Sequence, residues 1–315
     1  MKRLITIGLF FVSFFANAQS VPLYTQNLFN RFAINPATAG LENCPDFRFG
    51  HRRQWIGIDG APVTSFFTFN TGFSKNDASY RSFHGVGARF LSDQAGPFSA
   101  TSFHLAYAFH LKVRREASIS FGSFLGLRNY SYNGSGIYTP LFDPVVNQTS
   151  NLFIYPEIDP GIYYYSPKNF IGLSVVNLIP FQLSSGGEQI GSPSPNTKHF
   201  ILHVGQIIDA SGYYYTFVPN IMVRYAPSGV PEIDLNFMWY IDNDFALGAT
   251  YRNPTGVSFI AEAKFLQRFR FGYAFDYGVL GPSGAAPYTH EVMLSFLACK
   301  DKEDLDKKPL CPAYK

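Results

Sequence analysis

The sequence predicts an all-β fold: a transmembrane antiparallel up-and-down β-barrel of about 14 strands, with an amino-terminal plug segment. Three observations lead there. First, residues 269–277 read F-R-F-G-Y-A-F-D-Y, with every odd position aromatic and every even one small or charged. Successive strand side chains point to opposite faces, so this segment is two-faced, and most segments repeat the pattern. Second, aromatics make up 17% of residues and charged residues only 15%, against about 25% charged in ordinary globular proteins. Third, the connections between extended segments alternate between short and long, with both long loops on one side of the alternation.

The amino terminus sets the compartment. Lys2 and Arg3 precede an apolar run from Leu4 to Phe15, then A-N-A (16–18) and Gln19. This is the pattern of a signal peptide cleaved after Ala18; the run falls short of the roughly 20 apolar residues of a membrane-spanning helix. The expected divisions are a cleaved signal (1–18), an amino-terminal periplasmic or plug segment (19–44), the barrel (45–299) and a charged periplasmic tail (300–315). No later run is long and apolar enough to span a membrane as a helix. The mature chain is then either soluble after export or a membrane barrel, which keeps every backbone polar group satisfied in lipid, and the composition favours the barrel.

Gly, Pro, Asn, Asp and Ser punctuate the chain into strands at 46–57, 62–73, 83–92, 98–112, 116–129, 156–165, 169–179, 198–208, 213–226, 231–241, 244–252, 256–265, 268–278 and 288–298. The even-numbered connections are mostly tight, such as V-R-R-E, S-P-K-N, D-N and L-Q. The odd-numbered ones include long loops near 130–155 and 180–197. Short periplasmic turns with long extracellular loops are the outer-membrane pattern.

A charge at mid-bilayer on the lipid face costs about 2–4 kcal/mol, which fixes the register. Arg89, His104, His110, His199, His203, Glu232, Asp234, Asp244, Arg252, Glu262, Lys264, Arg270 and Asp276 are assigned to the lumen. Phe103, Leu105, Tyr107, Phe109, Leu235, Phe237, Trp239, Phe259, Ala261 and Phe265 are assigned to lipid. The first two strands alternate poorly, Phe66 and Phe67 being adjacent, and receive no assignment.

Before the first strand, residues 24–40 place Phe29, Phe32 and Ile34 among polar residues, with Asn35-Pro36 to break any helix. Such a segment at the foot of a barrel is expected to tuck into the lumen as a plug. At the first hairpin tip, Gly57 and Gly60 flank Ile58-Asp59 where positive φ is needed. Pro62 starts the second strand, and Trp55 sits near the outer rim, ring buried and N–H wet. Asp93 to Gly96 form another tight outer turn.

The blocks N-L-F-N-R-F-A-I-N-P-A-T-A-G (27–40) and R-R-Q-W-I-G-I-D-G-A-P-V-T (52–64) closely resemble the start of the PorP/SprF family of type IX secretion outer-membrane proteins. The resemblance continues through G-V-G-A-R-F-L-S-D-Q-A-G-P (85–97), G-L-S-V-V-N-L (172–178), L-G-A-T-Y-R (247–252), F-G-Y-A-F-D-Y (271–277) and H-E-V-M-L-S-F (290–296). The motif residues it singles out are Asn35, Pro36, Ala37, Gly40, Arg53, Gln54, Trp55, Gly57, Gly60, Ala61, Pro62, Asp93, Gly96, His290 and Glu291. The chain departs from the usual barrel ending: Phe296 is followed by L-A-C and the charged tail. The resemblance implies a non-enzymatic outer-membrane component acting in export, surface anchoring or secretion-machine assembly, with a link to gliding adhesin display. Implied partners are the type IX machinery or a secreted adhesin's carboxy-terminal domain, with outer-membrane lipid around the barrel.

The rival reading is a FadL-like channel for small hydrophobic compounds, which shares the N-P-A element and the strand count. Catalysis has little to stand on: no G-x-S-x-G elbow occurs, and His199 and His203 lack a carboxylate or Cys at metal-ligand spacing. No cofactor is expected. A net charge of +3 without a basic stripe gives no reason to expect nucleic acid. In a closed barrel Cys44, before the first strand, and Cys299, after the last, meet at the periplasmic rim. A disulfide from Cys44 to Cys299 or to Cys311 is expected ahead of a local Cys299–Cys311 bond.

Overall fold

The computed structural model describes residues 24–42, 44–73, 82–114, 116–134, 153–179, 184–185, 188–189, 198–210, 214–227, 229–242, 244–279 and 287–299. The expected signal peptide, the tail and Cys311 lie outside these. Among the described residues fourteen antiparallel strands form the barrel, and a separate two-stranded hairpin pairs Ser184–Ser185 with Glu188–Gln189. The barrel strands are β1 (Asp46–Arg53), β2 (Val63–Phe73), β3 (Ser82–Ala95), β4 (Phe98–Arg114), β5 (Ala117–Tyr132), β6 (Phe153–Tyr165) and β7 (Asn169–Val176). Then come β8 (His199–Gln206, resumed after Ile207 as Ile208–Ala210), β9 (Tyr215–Tyr225), β10 (Glu232–Ile241), β11 (Phe245–Asn253), β12 (Gly256–Phe265), β13 (Phe269–Gly278) and β14 (Tyr288–Leu297). Each pairs with its neighbours in sequence, and β1 pairs with β14 from Asp46 opposite Leu297 to Arg53 opposite His290, closing the barrel.

The interior/exterior alternation appears as expected. On β4, Phe103, Leu105 and Tyr107 are 51%, 58% and 53% exposed, while Ser102, His104 and Ala106 between them are buried. A soluble monomer rarely exposes a continuous apolar band of this size; in lipid it is the favourable face. The assigned lumen residues point inward with one exception. Asp244 is exposed in the turn before β11, where its carbonyl accepts from the Lys264 N–H at 2.6 Å. It precedes the strand by one residue and so belongs to neither face.

The two unassigned strands owe their poor alternation to a single fit. Asp46, Arg48, Gly50 and Arg52 of β1 face inward, as do Thr64, Phe66, Thr68 and Asn70 of β2, leaving Phe67 outside. Gly50 is the cross-strand partner of Phe66, and the Phe66 ring fills the space a Cβ at Gly50 would take. An aromatic can therefore sit on the lumen face there.

Several boundaries differ from the sequence reading. β1 ends at Arg53, four residues early, because Trp55 (φ 47°), Gly57 (φ 104°) and Gly60 (φ 73°) turn the chain. Asp93 lies within β3, not in a turn, and accepts from the Thr64 hydroxyl at 2.5 Å. The turn itself is Gly96-Pro97, and the Gly96 N–H donates to the Gly60 carbonyl at 2.7 Å, docking two outer turns together. β7 stops at Val176 because Asn177 adopts φ 58°.

Both chain ends of the barrel lie at the rim with the tight turns, for example those at 166–168 and 266–268; the long connections 133–152 and 177–198 lie at the other. By the outer-membrane rule the first rim is periplasmic. There Cys44 and Cys299 are joined, with Cα atoms 5.0 Å apart across 255 residues of sequence. Peptide mapping without reductant is expected to recover the Cys44 and Cys299 peptides as one linked species. Serine at Cys44 should destabilise the barrel by about 2 kcal/mol, the low end for a native disulfide, since the β1–β14 ladder already closes the loop. Free thiols at both positions in the folded protein would refute the bond.

Candidate functional site

The amino-terminal segment descends the lumen from the outer third to the periplasmic foot. Thr25 and Gln26 lie beside Arg52, Asp276 and Glu291, each within a few residues of the outer end of its strand. Asn30 reaches Thr68 at mid-height, and Gly40 meets Asn70, Gly72 and Gly85 near the periplasmic rim. Its local folds are self-capped. Asn30 Oδ1 accepts from the Ala33 N–H at the start of a one-turn helix, α1 (Arg31–Ile34). Asn35 Oδ1 accepts from the Ala37 N–H, starting a 3-10 turn at Pro36–Thr38 with proline in its first turn. Proline suits that place because its missing N–H would have no helical partner.

The N-P-A-T-A-G block sits on a track of glycines from neighbouring strands. A Cβ at Gly161 (β6) would collide with Asn35 Oδ1. One at Gly122 (β5) would lie 2.8 Å from Ala37 N and Cα, and one at Gly85 (β3) would strike the Ala39 carbonyl. Gly72 (β2) touches Gly40, whose φ of 79° suits glycine and which has no room for a side chain of its own. Strand side chains then take up the segment's carbonyls. Arg89 donates to Ala33 O, Ser174 to Ile34 O, Ser120 to Ala37 O and His110 to Ala39 O, at 2.6–2.9 Å. Asn35 Nδ2 bridges β6 and β7 by donating to Ile162 O (3.0 Å) and Leu173 O (3.2 Å). A polar interior thus satisfies a non-strand backbone group by group, as burial requires.

Apolar contacts supply the remaining hold. Leu28, Phe29, Phe32 and Ile34 are buried, each contributing about 1.5–3 kcal/mol if fully withdrawn from water. Phe32 packs with Ala39, Ala106, Ala108 and Phe124, while Phe29 packs with Phe66 and Met293.

Most of the interior charges stand in ion pairs, and Arg31 of the segment donates to the Tyr163 hydroxyl (3.0 Å) and lies over the Phe170 ring. Around the outer end of the segment, Arg52 contacts Asp276 (2.7 Å) and Glu291 (3.1 Å), and Arg252 holds Asp234 (2.9 Å) and lies 3.8 Å from Asp276. Arg224 joins Asp234 to Glu232. Across the lumen, Arg89 pairs with Asp159 and Arg128 with Glu157, which is also hydrogen-bonded to His104 Nε2 at 2.8 Å. Near the periplasmic end Arg48 pairs with Asp46 and Arg270 with Glu262. Buried charges persist only when paired or hydrogen-bonded in this way.

The motif residues fall into two groups. Asn35, Pro36, Ala37 and Gly40 form the seated block. Arg53, Gln54, Trp55, Gly57, Gly60, Ala61, Pro62 and Gly96 gather at the outer rim, with Asp93 just below. There Gln54 N–H donates to Pro62 O, Ile56 N–H to Tyr288 O, Ala61 N–H to Ile58 O and Trp55 N–H to the Thr289 hydroxyl. Arg52, Trp55, Arg252, Asp276, Tyr277 and Thr289 line a cleft at this mouth. His290 and Glu291, adjacent in sequence, part company. His290 faces outward to the Tyr273 hydroxyl (2.6 Å), whereas Glu291 faces inward and holds the backbone N–H groups of Thr25 and Gln26, each at 2.9 Å. The glycine track and the Thr25–Arg52–Asp276–Glu291 cluster escaped the sequence reading; an isolated glycine in each of several strands was the available signal. His203 is spent on Asn220 Oδ1 (3.1 Å), and among the described residues no group of His, Cys, Asp and Glu could hold a metal.

A closed antiparallel barrel with an apolar exterior, a polar lumen and long loops at one rim is an outer-membrane β-barrel protein. The family model described as type IX secretion system membrane protein PorP/SprF matches residues 16–296. The chain belongs to that family and is an outer-membrane component of type IX secretion. No curated protein sequence matches it significantly. Among solved structures it is similar to the CymD monoaromatic hydrocarbon channel (10% identity, TM-score 0.49, 90% of this chain and 95% of that one). It is also similar to the Ralstonia pickettii toluene transporter TbuX (9%, 0.48, 89% and 94%) and to Acinetobacter baumannii Omp33 (8%, 0.47, 82% and 99%). Likenesses this distant carry no functional argument.

Proposed function

We propose that this protein is a non-enzymatic docking component of type IX secretion that works through its rims, with the lumen closed by its own amino-terminal segment. In this reading the signal at 1–18 is removed, residues 24–42 act as the plug, and the tail at 300–315 lies in the periplasm. The protein serves export, surface anchoring or assembly of the machine, including adhesin display. One observation carries it: residues 24–42 run the lumen from its outer third to its foot, nearly every one of the described residues being buried. A conduit for small hydrophobic compounds needs an apolar lining, whereas this lumen presents paired Arg, Asp and Glu.

The test is capture of the folded barrel from detergent-solubilised outer membrane of secreting cells. The expected co-purifying species is a type IX machine component or a secreted protein retaining its carboxy-terminal domain. Recovery of the barrel alone would count against the docking role. In planar bilayers the intact protein is expected to conduct poorly, and deletion of residues 24–42 should raise single-channel conductance. Unchanged conductance would remove the plugging role.

A further inference from the structure

An ionised side chain facing lipid is unfavourable, most at mid-bilayer and least near the interface. In the outer half of the wall the described strands face outward with aromatic, aliphatic and uncharged polar side chains except at one place. There His51 and Arg53 of β1 meet His290 of β14, and among the described strand residues of that half no carboxylate faces outward. Arg53 and His290 are direct cross-strand partners, and His51 lies one step below on the same face, opposite Val292. Opposed side chains have Cβ atoms about 4.5–5.5 Å apart and diagonal ones about 7–8 Å, so the three can converge on one group. Their depth is set by tyrosines. Tyr288, two residues nearer the outer end of β14 than His290, pairs with Tyr277, and both are exposed with Tyr225 and Tyr251 in an outer aromatic belt. The cluster lies about 7 Å along the strand beneath that belt, where headgroups give way to acyl chains.

We propose that His51, Arg53 and His290 bind a phosphate of lipid A, the phosphorylated glycolipid of the outer leaflet. Arg53 stands in no ion pair among the described residues, whereas its neighbour Arg52 points inward to Asp276 and Glu291. A guanidinium is always charged, and its forked donors match phosphate oxygens. The histidines are held by their inner nitrogens: His51 Nδ1 bonds Ser65 Oγ (2.8 Å) and His290 Nδ1 bonds the Tyr273 hydroxyl (2.6 Å), leaving Nε2 of each for a further partner. With the hydroxyl donating to Nδ1, the neutral ring carries its proton on Nε2 and is itself a donor. Three donors and no acceptor carboxylate select an anion. A zwitterionic phospholipid would bring a cation that nothing in the cluster matches, whereas a sugar phosphate brings none. Below the cluster Phe49, Val292 and Leu294 are exposed on the same face and offer acyl chains an apolar track.

The proposal rests on the outer-membrane reading and its orientation, which a separate measurement checks. In a Cys311→Ser background, Asp59→Cys in the exposed first hairpin is treated with a membrane-impermeant maleimide. Labelling of intact cells puts the cluster in the outer leaflet; labelling only after permeabilisation reverses the barrel and removes the proposal with it. Binding is read on the purified mature barrel in detergent, as the rise in unfolding midpoint with added diphosphoryl lipid A. A saturable rise is expected, with none from the fully dephosphorylated lipid or from inorganic phosphate at equal concentration. Arg53→Gln should keep the folded-barrel mobility on gels and weaken the apparent affinity about tenfold or more, as loss of hydrogen bonds to a charged group implies. His84→Gln is the control: that outward-facing histidine lies near the other rim, bonded to the Tyr107 hydroxyl (2.7 Å), and its loss should leave the affinity unchanged. With the orientation established, an equal rise from the dephosphorylated lipid would show that acyl chains alone are recognised. An equal rise from inorganic phosphate would show an anion site without lipid preference, and equal affinity in Arg53→Gln would show that the cluster is not the site. Each of these overturns the proposal while leaving the barrel and its orientation intact.

Discussion

Valine at Gly122 is expected to lift the N-P-A-T-A-G block from its seat while leaving the barrel assembled. The added Cβ would lie 2.8 Å from both N and Cα of Ala37. These are backbone atoms of a segment pinned on either side by Asn35 and His110, so neither can swing aside. Overpacking of this kind costs about 1–3 kcal/mol. Gly85→Val presses on the same block through the Ala39 carbonyl. The two costs will not add, because a block already lifted by one substitution no longer meets the other. The expected result is a lower unfolding midpoint in detergent, new protease cleavage within 24–42 and raised single-channel conductance, with the folded-barrel mobility on gels retained. Ala261→Val, on the outward face of β12, should change stability by less than about 0.5 kcal/mol. A Gly122→Val protein as protected as Ala261→Val would show that the seat tolerates a side chain, and the steric account of the track would fall.

The glycine track also shows where sequence reading ran out. Faces were legible because period-two alternation is a local property: His104, Arg89 and Glu262 could be assigned inward from their immediate neighbours alone. What each inward residue meets depends on barrel closure and on which non-strand residues share the lumen. Gly161 has no local reason to be glycine, since its partner Asn35 is 126 residues away. Asn35-Pro36 was legible as a helix breaker, and α1 does end at Ile34, but nothing nearby revealed that the Asn35 amide would bridge β6 and β7. Phe66 defeated alternation because its explanation, the missing side chain of Gly50, lies on the paired strand. Asp244 was misplaced for a smaller reason: a one-residue error at a strand end removes a residue from both faces. At the outer rim the motif glycines were legible as turns, whereas the cleft depends on β11, β12, β13 and β14 converging on the first hairpin.

Alanine at Glu291 is expected to be the most damaging single change at the outer end of the segment. The side chain is fully buried and does three things at once. Oε2 accepts from the Thr25 N–H (2.9 Å) and from Arg52 (3.1 Å), and Oε1 accepts from the Gln26 N–H (2.9 Å). Truncation leaves two buried backbone donors unmet and Arg52 with Asp276 as its remaining carboxylate. Removing one partner of a buried ion pair costs about 3–5 kcal/mol, because the other charge stays behind. Glutamine keeps an acceptor but not the charge, so Glu291→Gln should recover part of the loss, to a cost of about 1–3 kcal/mol. The neighbouring His290→Ala is the natural control. That ring faces outward and bonds the Tyr273 hydroxyl, and its loss should cost about 1 kcal/mol or less. Hydrogen exchange gives a readout that general destabilisation would not reproduce. In Glu291→Ala the amides of Thr25 and Gln26 should exchange much faster, while that of Gly40, held by Asn70 at the far end (2.9 Å), should change little. Equal exchange at the two ends would mean that the segment moves as one body and that Glu291 does not hold its outer end; stability equal to that of His290→Ala would mean that the cluster does not hold it at all.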